Sequence, residues 1–80
     1  MSRSDPPPAV PPVWRQPDGS PVSCVEKIKV LNDNYAELRQ IAQDALEDAL
    51  LMGCSEAQIK DALHQLIDQL SNPYPAEPRR

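Results

Sequence analysis

The chain has 80 residues, with ten Pro, one Trp, two Tyr and no Phe, and its 12 acids outnumber 8 bases for a net charge of −4. Seven prolines fall within the first 21 residues and three after Asn72, so the foldable stretch is about 50 residues, close to the lower limit for an unassisted core. Nine acids against four bases between Ser23 and Asn72 argue against nucleic acid as a ligand, and the absence of a long apolar run argues against a membrane span or signal peptide, so a cytoplasmic chain is expected.

Residues 1–22 are expected to be an extended or disordered proline-rich tail, because each proline removes a backbone donor and pushes the preceding residue toward extended conformations. Pro17, Asp18 and Gly19 mark a turn within it. Pro8 and Pro11 have the spacing of segments that dock in aromatic grooves, a match that arises easily by chance in so proline-dense a stretch. Trp14 beside Val13 carries a large apolar surface with nothing local to bury it, which points to docking on the first helix or on a partner.

Ser23 with Glu26 three residues on has the spacing of a capping box, so a first helix is expected over about 24–52. Ile28, Leu31, Tyr35, Leu38, Ala42, Ala45, Ala49 and Met52 then follow alternating steps of three and four, the period of helices packed side by side. Asn32, Asp33 and Asn34 are poor helix formers in the middle of this stripe, and a break capped by Asn34 with Glu37 is the alternative.

Gly53 should end the helix through a positive φ, and Ser55 with Gln58 should cap a second helix over about 56–71, whose stripe of Ile59, Leu63, Leu66 and Leu70 is widened by Ala62 and Ile67. Asn72 and Pro73 stop it, leaving 73–80 as a disordered C-terminal tail. The fold expected for 23–72 is therefore all-α: an antiparallel two-helix hairpin with a long first and a shorter second helix. Ordering about 50 residues at about 1.5 kcal/mol each calls for roughly 3,000 Å² of apolar burial at about 25 cal/mol per Å², more than two helices hide. Dimerisation into a four-helix bundle is expected to supply the remainder.

Candidate chemistry is sparse. Asp44, Glu47 and Asp48 stack on successive turns but lie off the apolar stripe, and only Asp61 with His64 shows the spacing of a helical metal ligand pair, so a solvated acidic face is expected and no metal or cofactor. His64, flanked by Lys60 and Asp68, reads as an exposed or rim histidine. Cys24 and Cys54 bracket helix 1, about 45 Å apart by its rise, too far for a disulfide while that helix is unbroken. No recognisable nucleophile motif accompanies His64, and no catalysis is expected.

The stretch Leu51-Met52-Gly53-Cys54-Ser55, with Gln58 and Ala62-Leu63 beyond it, resembles the Met-Gly loop of ubiquitin-associated domains and the glycine-containing turn of helix-turn-helix proteins. Both families have a third helix where this chain meets Asn72, Pro73 and Pro75, and the ubiquitin-associated pattern has a larger apolar residue in place of Cys54, so no functional residue carries over. The expected function is a small non-catalytic interaction module or accessory subunit. It would bind an unidentified protein, and a second copy, through Trp14 and the stripe of Ile28, Leu31, Tyr35, Leu38, Ala42, Ala45 and Ala49; a helix-turn-helix regulator is the alternative.

Overall fold

In the computed structural model, which describes residues 10–74, two α-helices are formed among the described residues: α1, Val25–Leu51, and α2, Glu56–Gln69. They pack against each other as a hairpin. Pro8 and the expected C-terminal tail beyond Tyr74 lie outside the described residues.

The first backbone bond of α1 runs from Ile28 N–H to the Cys24 carbonyl (3.0 Å), which makes Cys24 its capping residue, one position later than the Ser23 capping box would set it. The Lys27 backbone amide, one turn on, holds the Cys24 thiol below its ordinary range. From there α1 runs 27 residues without a break at Asn34. Two features offset the low propensity of the Asn32-Asp33-Asn34 stretch. Lys29 Nζ meets Asp33 Oδ2 at 2.7 Å, an i,i+4 pair that raises the lysine pKa, and Asn32 is engaged from outside the helix as described below.

α1 ends in a Schellman turn. Gly53, at φ +99°, donates its N–H to Leu50 O (3.2 Å), and Cys54 N–H reaches back to Ala49 O (2.9 Å), satisfying two of the carbonyls that a helix end leaves free. Ser55 caps α2 with its hydroxyl, which accepts from Gln58 N–H at 3.1 Å. At the other end the helix stops at Gln69, short of the expected 71, where Leu70 turns extended (φ −68°, ψ 142°) and donates its N–H to Ile67 O (3.1 Å); Asn72 Oδ1 accepts from Tyr74 N–H (2.9 Å) beyond it.

The chain divides between Gln43 and Asp44 into two compact units. The first combines the early turns of α1 with a small hairpin formed by Trp14 to Val22. Pro17 and Asp18 occupy the middle of a turn closed by Gly19 N–H to Gln16 O (2.8 Å). Gly19 sits at φ +92°, and Gln16 N–H to Ser20 O and Val22 N–H to Trp14 O, each 2.8 Å, tie the two arms. This is the three-residue hairpin loop with a glycine bulge. Asp18 fastens it further by accepting from the Ser20 hydroxyl (2.6 Å) and N–H (2.9 Å), which lowers its pKa. Arg15 and Pro21 face each other at the position where the ladder asks for no cross-strand donor, which is why a proline is tolerated there. The second unit holds the last two turns of α1, the Gly53 turn and α2.

Candidate interaction surface

The hairpin aims Trp14 at α1. Its indole Nε1–H donates to Asn32 Oδ1 at 2.7 Å, and its ring meets the Tyr35 ring edge-on, with centroids 5.9 Å apart and planes at 76°. Asn32 and Tyr35 are three residues apart and so present neighbouring side chains on one face of the helix. Each contact is worth about 0.5–1.5 kcal/mol, the aromatic pair for its edge-to-face geometry and the hydrogen bond because it also satisfies the indole N–H. Pro11, Val22, Ile28 and Leu31 are half-buried in the same unit.

Of the residues expected to bind a partner, Trp14, Ile28, Leu31 and Tyr35 are thus half-buried within the chain itself, and so are Ala42, Ala45 and Ala49. Leu38 is the exception at 64% exposed. It shares a face with Val30 and Ile41, at spacings of eight and three, and these are 58% and 64% exposed. Val30 does not belong to the stripe of threes and fours, so it escaped notice. Reading the same window for a second stripe, rotated around the helix, would have found it. Asn32 was the other residue missed: its sequence signal, a polar side chain on an otherwise apolar stretch, registered only as a weak helix former.

In the second unit Ile59 and Leu63 are half-buried, whereas Leu66, Ile67 and Leu70, which continue the apolar side of α2, are exposed, as is Tyr74 beyond its end. The charge here is one-sided. Residues 44–74 include Asp44, Glu47, Asp48, Glu56, Asp61 and Asp68 and one base, Lys60, for a net of −5. Lys60 Nζ lies 2.8 Å from Glu56 Oε2, a pairing that lowers the glutamate pKa, and Asp61 Oδ2 accepts from Gln65 Nε2 at 3.0 Å. Residues 10–43, by contrast, carry Arg15, Lys27, Lys29 and Arg39 against Asp18, Glu26, Asp33 and Glu37, a net of zero.

His64 is exposed, and both cysteines are exposed free thiols. Among the described residues no group of three or more His, Cys, Asp or Glu side chains is placed to hold a metal ion. No described helix is long and apolar enough to cross a membrane. No family model matches the chain, and no curated protein or solved structure is significantly similar to it.

Proposed function

We propose that the chain is a small non-catalytic protein–protein interaction module, acting as an accessory subunit in the cytoplasm and completing its fold by pairing with a second copy. One observation carries this reading. Among the described residues no side chain is fully buried, although apolar stripes run along both helices. A chain that orders two helices without a core of its own is short of the apolar burial that offsets the ordering cost. The open face of Val30, Leu38 and Ile41 is where a second copy docks, because residues 10–43 are electrically neutral and two such surfaces approach without net repulsion. Four helices then surround a shared interior, while the Trp14 hairpin covers the neighbouring face of α1.

Sedimentation equilibrium at micromolar concentration tests this. The expected mass is two chains, falling to one in Leu38→Asp and Ile41→Asp with far-UV helicity largely retained. A one-chain mass for the unaltered protein, together with a cooperative unfolding transition, would refute the pairing. The helix-turn-helix alternative finds no favouring observation, since Lys60 is the only Lys or Arg of α2 and it is paired with Glu56.

A further inference from the structure

We propose that the C-terminal half of α2 is a docking face for a basic amphipathic helix of another protein. The inference rests on the chain being an interaction module but not on its pairing with itself.

Leu66 (55% exposed), Ile67 (61%) and Leu70 (72%) lie within one turn of each other, with Tyr74 (76%) just beyond the helix end. Leu66 and Leu70 extend the stripe that begins with Ile59 and Leu63, so the side of α2 that is half-buried at its start is open to water at its finish. An exposed apolar cluster at these spacings matches the groove-and-ridge dimensions of a second helix, whose own side chains at i, i+4 and i+7 would interdigitate with it.

Charge selects the occupant. The flank of α2 next to Ile67 carries Asp61 and Asp68, seven residues apart and therefore on one side of the helix, with His64 between them. Within residues 44–74 the only compensating Lys or Arg is Lys60, already held by Glu56. A second copy seated here through the same unit would bring a net of −5 against −5, which Coulomb repulsion opposes. A helix with leucines on one side and Lys or Arg on its flanks fills the apolar face and neutralises the rim together. Such a surface gains association rate and selectivity from the acids and affinity from the leucines.

The test titrates the full chain with three fluorescent peptides: an amphipathic Leu/Lys helix, the same pattern with Glu for Lys, and the Leu/Lys composition scrambled to remove the apolar face. The Leu/Lys helix is expected to bind and the other two to bind far more weakly. Ile67→Ser and Leu70→Ser should each weaken it by about fivefold or more, as truncated interface anchors do. Asp68→Asn should weaken it at low salt and lose that effect at high salt. Equal binding of the scrambled peptide, or unchanged binding to both Ser variants at unchanged helicity, overturns the proposal. So does a mass that falls from two chains to one in Leu70→Ser, because a second copy would then be the occupant. Repeating the titration on Leu38→Asp separates the two readings: retained peptide binding supports this face whatever the mass, and lost binding by a helical chain overturns it.

Discussion

Replacing Asn32 by Ala removes the acceptor of the Trp14 indole N–H and, in the same step, a poor helix former from the middle of α1. Losing the hydrogen bond costs about 1 kcal/mol, and the better helix propensity returns about 0.5–0.7 kcal/mol, so the net change in stability should be small. The local consequence should be plain: Trp14 emission shifts to the red while far-UV helicity is unchanged or higher. Emission that stays put would mean that the indole is held in place without Asn32. The lone Trp announced itself in the sequence as a side chain in need of cover. Its acceptor did not, because an Asn in a helix reads as a propensity defect until the partner that uses it is brought over by a turn some 13 residues away. Cys24 gives a second residue-level expectation. Its thiol is depressed in the folded chain by the Lys27 amide, so the folded state binds fewer protons than the unfolded state in the window below the ordinary cysteine value of 9.0. The contribution to stability is therefore fully present above that value and is lost as pH falls through the folded pKa. In a Cys54→Ser background the pH midpoint of alkylation at Cys24 should lie lower in the native chain than in urea. Coincident midpoints would show that the Lys27 amide does not stabilise the thiolate.

At the scale of elements, the Gly53 turn is the joint on which the hairpin depends. A Cβ placed on Gly53 would meet nothing within 4 Å, so the cost of substituting it is purely that of holding an L residue at φ +99°. Gly53→Ala should lose about 1–2 kcal/mol in urea unfolding, and Gly53→Asn less, because Asn tolerates the left-handed region. Equal losses would point to contacts rather than backbone strain. This joint was legible beforehand, as were the Ser55 cap, the turn at Pro17 to Gly19 and the apolar period that carries α1 past Asn34. Each of these is a local rule expressed over a few residues. The arms of the N-terminal hairpin were not legible, since prolines on both sides of a turn argue for extended chain. The ladder accommodates Pro21 only because the register puts it opposite Arg15, at a site that needs no donor, and register is settled by pairing rather than composition.

For the molecule as a whole, no side chain is fully buried among the described residues, and the proposed pairing would make stability a question of concentration. If the chain pairs, Tm rises with protein concentration, and in Leu38→Asp it becomes both lower and independent of concentration. A concentration-independent Tm in the unaltered chain would count against pairing. The charge difference between the neutral residues 10–43 and the acidic residues 44–74 belongs to this scale too. It was present in the sequence, yet the split at Gln43 gives it meaning by assigning the two kinds of charge balance to separate compact units. A chain with this much apolar surface also needs protection against uncontrolled stacking, and the small ladder at its N-terminal end would ordinarily invite it, because unpaired edges recruit strands from neighbouring molecules. Here the outward-facing groups belong to Pro21, which has no N–H to offer, and to Arg15, whose charge repels its own kind. The edge on the Pro21 side thus presents a neighbouring strand with one backbone donor fewer.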